Sequence, residues 1–223
     1  MRRGAFIVID GTDGSGKATQ TSLLVKHLRN EGTLVETISF PQYGAKSAGP
    51  LEEYLAGKYG SALEVGPKRA SILFAIDRWD ASQTIRCWLD RGTIVVADRY
   101  VGSNMGHQGS KIADAEERAR FFDWNMDLEY NLFSLPRPDV NIVLHVPAAM
   151  AQTLAQTNTS KHKLARDIHE EDLRHLEAAE QAYLHMTQRF ETYQRIECVE
   201  EGTLLSPDEI HRRVLKLVTP FLS

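Results

Sequence analysis

The sequence predicts an α/β fold, a five-stranded parallel sheet with helices on both faces. Three observations predict it. Short apolar runs alternate with segments of helical periodicity, which is the pattern of a parallel sheet covered on both sides. The first apolar run, Phe6-Ile7-Val8-Ile9, passes directly into a glycine-rich loop and then a helix. The third run ends in an acid, Asp98, as a strand delivering a carboxylate to a shared edge would.

The glycine-rich loop is Gly11-Thr12-Asp13-Gly14-Ser15-Gly16-Lys17-Ala18-Thr19. Strand, loop and helix in this order form a phosphate-binding loop. Its glycines let successive backbone N–H groups turn inward on an anion, and the following helix adds its positive end. Lys17 is placed to reach the outer phosphates. These nine residues are the candidate nucleotide-phosphate-binding set. Ala18 stands where such loops commonly carry a Ser or Thr that helps hold Mg²⁺. Thr19 is turned about 100° further round the helix and cannot simply replace that hydroxyl.

The remaining elements follow in order. Val35 to Phe40 alternates as a second strand, ending at Phe40-Pro41, and a short helix fits around Leu51–Leu55. A long helix is expected from about Lys68 to Asp90. Thr93 to Ala97 is a third strand, with Asp98-Arg99 at its carboxyl end. The group Ser103, Asn104, His107 and Gln108 reads as a polar loop. A helix spans Ala115 to about Leu132, a fourth strand runs from Val140 to Val146, and a short helix begins near Pro147. The polar stretch at about 157–168, with Lys161, Lys163 and Arg166, is expected to be a lid over a single domain. A helix from about Glu170 to Arg189 and a strand from Arg195 to Val199 follow. The last helix opens on Ser206-Pro207-Asp208-Glu209, a capped start.

A chain of 223 residues with 42% apolar and 25% charged residues can bury one substantial core. Its net charge of −4 and lack of a basic block argue against nucleic acid and anionic membranes as partners. No apolar run has transmembrane length, and no secretory signal precedes the first strand, so a cytoplasmic location is expected. Cys87 and Cys198 read as core residues, with no zinc spacing.

Ligands on parallel sheets bind outside the carboxyl ends of the strands. The glycine loop, Phe40-Pro41 and Asp98-Arg99 converge there, which predicts one site. Asp98 is a candidate metal ligand, directly or through water. Lys17, Arg99 and the 161–166 cations are candidates to neutralise a transferring phosphoryl group. Phe74 and Arg78 share a helix face and could stack a base and donate to its carbonyl. By spacing alone they fit better as a core Phe beside a surface salt-bridge Arg.

Together, the segments 11–20, Phe40-Pro41-Gln42-Tyr43-Gly44, Leu73-Phe74-Ala75-Ile76-Asp77-Arg78, 97–104 and Leu135-Pro136-Arg137-Pro138-Asp139 resemble the thymidylate kinase family of nucleoside monophosphate kinases. The segment 166–173 is similar to the region after the lid in bacterial members. The resemblance implies ATP- and Mg²⁺-dependent phosphorylation of dTMP to dTDP by a homodimer that pairs through helices, including part of 68–90. It implies that Asp13 contacts the deoxyribose 3′-hydroxyl and helps order the metal, and that Phe74 stacks on thymine. Arg78 would reach O4, Asn104 would bond the base, and Arg99 would bridge the two sets of phosphates. Tyr43 would lie near the acceptor phosphate, and Phe40, Ser103, His107 and Gln108 would complete the dTMP site. The catalytic set is then Lys17, Arg99, Asp13 and Arg166. Phe40-Pro41 matches a proline that follows a cis peptide. Gln42 stands where many members carry Arg, with Lys46 as a substitute cation. His107 stands where some members use Tyr against a ribose 2′-hydroxyl. Phosphorylation of another nucleoside monophosphate or a deoxynucleoside is the alternative. A guanine-nucleotide switch is disfavoured, because its Asn-Lys-x-Asp signature is missing.

Overall fold

A computed structural model describes residues 3–157 and 173–222. Strand β1 (Phe6–Gly11) leads through the glycine loop to α1 (Lys17–Asn30), and β2 (Val35–Ser39) follows. Helix α2 (Gly49–Leu55) packs on the long α3 (Ala62–Asp90). Next come β3 (Ile94–Asp98), α4 (Val101–Gly109), α5 (Ala115–Asp127) and β4 (Val140–His145). Helices α6 (Ala148–Thr157) and α7 (Leu173–Arg189) precede β5 (Tyr193–Glu197). A small hairpin of β6 (Val199–Glu200) and β7 (Thr203–Leu204) joins α8 (Pro207–Val218).

The main sheet is five-stranded and parallel, in the order β2-β3-β1-β4-β5. Its central strands alternate between two apolar layers. Phe6, Val8, Val95 and Ala97 enter one cluster with residues of α3, α4, α5 and α7. Ile7, Ile9, Ile94 and Val96 enter the other with residues of α1, α6 and α8. Both faces are dry, so these strands read as unbroken apolar runs. Each buried Val, Ile or Phe among them contributes about 1.5–3 kcal/mol by leaving water. The strands also end in step: Ser39 and Ile9 both pair with Asp98, and Gly11 pairs with Leu144. This alignment gathers the loops of β1, β2 and β3 at one edge.

Several boundaries differ from the sequence reading. Helix α3 begins at Ala62 with a Ser61–Glu64 capping box, then breaks at Gly66 (φ 75°, ψ 164°) before Pro67. Proline has no N–H to continue the ladder, so the two helical pieces meet at a kink. The fifth strand is shifted two residues towards the N-terminus, because Tyr193 and Ile196 are the buried positions. Residues 103–108 form a helix rather than a loop, with Met105 buried in the core. Cys87 is exposed, because it lies on the outer face of α3, while Cys198 is buried as expected. The capped start of α8 is present, with Ser206 accepting from the Glu209 N–H. The stretch carrying Lys161, Lys163 and Arg166 lies outside the described residues.

Candidate active site

The glycine loop curls between two openings. Gly14 (φ 80°) and Gly16 (φ 88°) hold left-handed backbone, which L side chains adopt only under strain. Gly14 also presses against α6: a Cβ there would sit 2.0 Å from the Ala151 carbonyl oxygen. The Lys17 ammonium donates to the Thr12 carbonyl at 2.7 Å and lies 3.7 Å from Asp13. Burial first, then the Arg99 charge, pushes its pKa down to about 8, against the pull of Asp13. Thr12 Oγ1 and Ser15 Oγ are buried without a partner among the described residues. Unpaired buried hydroxyls on a loop that starts a helix suit an incoming polyoxyanion.

Asp98 and Arg99 are neighbours in sequence but open on different sides. Asp98 lines an open groove with Ala18 and Ser39, at the first turn of α1. Among the described residues nothing makes a hydrogen bond or ion pair to its carboxylate. Ala18 offers no hydroxyl there and Thr19 is exposed outside the groove, while Thr21, Ser22 and Ser39 line it. The one carboxylate in the lining among the described residues is Asp98, beside hydroxyls and with room for water and phosphate oxygens, and such an all-oxygen set suits hard Mg²⁺. Asp13 fits less well as a direct ligand, because its carboxylate already meets Arg99 and Lys17.

Arg99 has φ 69°, an unusual conformation that directs its side chain past the loop. Its Nη2 donates to Asp13, and its Nη1 lies 3.0 Å from His107 Nε2. A guanidinium has no lone pair to offer, so this nitrogen of His107 is the acceptor and the ring is neutral. Burial and the Arg99 charge agree, since both hold His107 well below its ordinary pKa. Burial opposes the charge on Asp13, but Arg99 and Lys17 outweigh it and hold the carboxyl well below the usual range.

The ten residues assigned from sequence to the acceptor nucleotide surround one cavity of about 260 Å³, together with Pro41 and Leu55. The two ends of the cavity differ in chemistry. Asp13 and Arg99 form one end. Phe74, Arg78 and Asn104 line the cavity elsewhere with Leu55 of α2, and Phe74 packs against the buried cluster of Leu51, Tyr54 and Leu55. The Phe40–Pro41 peptide in the wall is cis. Gln42 does not turn towards the cavity. Its N–H and its amide donate to the buried Asp77 of α3, at 2.9 and 3.1 Å, and Ser47 adds a third donor at 3.0 Å. Lys46 is exposed at the start of the turn that follows.

Arg78 is not the surface residue that its spacing favours. It is 1% exposed and bound at both ends to Glu129, with Nε to Oε2 and Nη2 to Oε1 at 2.6 Å each. Burial works against its charge, and Glu129 more than compensates, raising its pKa. Glu129 escapes the sequence reading altogether. One signal could have found it: Phe121, Asn125 and Glu129 recur every four residues, on the face that α5 and the wide turn at Leu128–Leu132 bury.

A sequence profile described as thymidylate kinase matches residues 9–203. The thymidylate kinase of Mycobacterium tuberculosis (strain H37Rv) is 32% identical over 169 residues, 75% of this chain and 78% of the relative. That of Nitrosomonas europaea is 27% identical over 223 residues, 100% of this chain and 96% of the relative. A solved thymidylate kinase structure from Candida albicans superposes with a TM-score of 0.74 at 23% identity, covering 98% of this chain and 92% of the other. The fold is therefore shared with a solved member, and the profile spans the glycine loop, both openings and the paired residues that lie between them. The chain belongs to the thymidylate kinase family.

Proposed function

We propose that this protein transfers the γ-phosphoryl group of ATP to dTMP, giving dTDP and ADP. The observation that carries it is that Asp13, inside the phosphate-binding loop, lines the same cavity as Phe74 and Arg78. Two nucleotides can then meet end to end across one loop. The glycine loop, with its free N–H groups and the hydroxyls of Thr12 and Ser15, and Lys17 hold the donor phosphates. Phe74 offers its ring to thymine, and Arg78 and Asn104 meet its polar edge. Tyr43, Phe40, Ser103, His107 and Gln108 complete the acceptor's surroundings.

An oxygen of the dTMP phosphate attacks the γ-phosphorus in line, and the bond to the β–γ bridging oxygen breaks. The acceptor is already ionised, so no base is required. Catalysis then consists of positioning and of charge placed against the equatorial oxygens. Arg99, fixed by Asp13 and His107, supplies that charge from the acceptor side and Lys17 from the donor side. Arg166, outside the described residues, is the sequence-based candidate for a further cation. Bound Mg²⁺ would neutralise donor phosphate charge, with Asp98 holding it directly or through water.

A homodimer is the proposed assembly. Ile72, Ile76 and Trp79 recur along one face of α3 and are exposed, Trp79 at 54%. Leu132, 73% exposed, adds to the apolar surface of the same chain, and Trp79 lies against Phe133.

ADP release with dTMP, dUMP, dCMP, CMP and dGMP as acceptors tests the activity. Turnover of dTMP at least tenfold above CMP is expected. Equal turnover of the two would overturn the substrate assignment.

A further inference from the structure

We infer that Glu129 is the specificity-determining positioning residue of this site. Without touching the substrate, it sets which atoms of Arg78 and Asn104 face the base. The inference rests on the dTMP reading above and extends it to a residue outside the cavity.

Glu129 is completely buried and is not among the residues lining the cavity. Its Oε2 accepts from Arg78 Nε at 2.6 Å. Its Oε1 accepts from Arg78 Nη2 at 2.6 Å, Asn104 Nδ2 at 2.8 Å and Asn125 Nδ2 at 3.3 Å. The second N–H of Asn104 goes to the Ser71 carbonyl at 3.2 Å. A carboxylate and a carbonyl can only accept, so the Asn104 amide nitrogen must face them. What Asn104 has left for a ligand is Oδ1, an acceptor. What Arg78 has left is Nη1 and the second N–H of Nη2, donors only, because its Nε edge is closed on Glu129.

The base pocket thus presents one acceptor, Asn104 Oδ1, beside a donor face, the outer edge of Arg78, in fixed order. Thymine or uracil matches it with N3–H and the C4 carbonyl. Cytosine fails on both, with a bare N3 and an amino group at C4. A fixed buried polar site excludes such a base because both of its groups would be left facing like groups. Phe74 stacks on either base alike, so discrimination between thymine and cytosine falls on this pair, and the order within the pair falls on Glu129.

Glu129→Gln tests this. The amide replaces one acceptor oxygen with a donor, so Asn104 is released to turn its nitrogen towards the cavity. The kcat/KM ratio of dTMP to dCMP is expected to fall at least tenfold, with dCMP turnover rising in absolute terms. Glu129→Asp keeps the charge but withdraws it, and is expected to give a smaller fall in the ratio. Equal losses for both substrates, with the ratio unchanged in whichever variant folds, would overturn the inference and leave only a structural role. A measurement on the unmutated protein stands beside these. With ¹⁵N-labelled arginine, the Arg78 Nε–H resonance should stay protected from exchange when dTMP binds. Loss of protection on binding would show that the pair opens, and would overturn the inference. An unmutated protein that prefers dCMP to dTMP would instead sink the substrate assignment itself.

Discussion

Arg78 and Glu129 lie fifty-one residues apart in sequence and meet through two 2.6 Å hydrogen bonds in the interior. Neither side chain is exposed to water by more than 1%. Removing one partner leaves an uncompensated buried charge. Glu129→Ala is therefore expected to destabilise the fold by about 3–5 kcal/mol, read from urea unfolding. Replacing both residues with apolar ones, as in Arg78→Met with Glu129→Leu, is expected to recover most of that stability while abolishing dTMP binding. Such a result would separate what the pair does for folding from what it does for recognition.

Arg99 is held at two points, by donation to Asp13 and to His107. Its charge is thus already in place before substrates arrive. Arg99→Met is expected to lower kcat about 10²–10³-fold, as loss of one preorganised donor does. Steady-state kinetics with dTMP varied at saturating ATP measures this.

Lys17 has a pKa of about 8 in the folded protein against an ordinary value of 10.5. Between those values the unfolded chain binds the extra proton, so this group makes stability rise with pH across that window. Lys17→Met is expected to raise the melting temperature at pH 7 and to flatten that rise, while turnover collapses. In the unmutated protein, ATP affinity is expected to fall as pH climbs through about 8, because the ammonium that meets the phosphates is being lost. Calorimetric titrations at pH 7 and pH 9 check the second claim.

Gly14 and Gly16, both left-handed, differ in their neighbours. Gly14→Ala drives a methyl into the Ala151 carbonyl of α6, whereas the same change at Gly16 meets nothing within 4 Å. Gly16→Ala is expected to cost only the left-handed backbone strain, about 1–2 kcal/mol. Gly14→Ala is expected to cost more and to abolish ATP binding, because loop and helix cannot both keep their places. Thermal melts with and without ATP distinguish the two.

Trp79→Glu places a charge in the exposed apolar face of α3. A shift from dimer to monomer in sedimentation velocity is the expected outcome, with the monomer retaining its secondary structure by circular dichroism.

The chain's own order of residues determined the sheet, the glycine loop and the convergence of strand ends. Those features rest on local periodicity and on glycine's backbone freedom, both of which act between near neighbours. Folding decided what depends on distant partners. Residues 103–108 look like a polar loop but form a helix, because Met105 packs into the core while Asn104 reaches Glu129. Arg78 reads as a surface cation, and burial became possible only because a carboxylate from beyond α5 arrives beside it. Gln42 sits in a segment similar to a phosphate-contacting loop, yet it is committed to Asp77, thirty-five residues away. Short-range rules could name the atoms available to the site. Which of those atoms remain free to meet a base depends on which others are already bonded, and only the assembled tertiary structure specifies that.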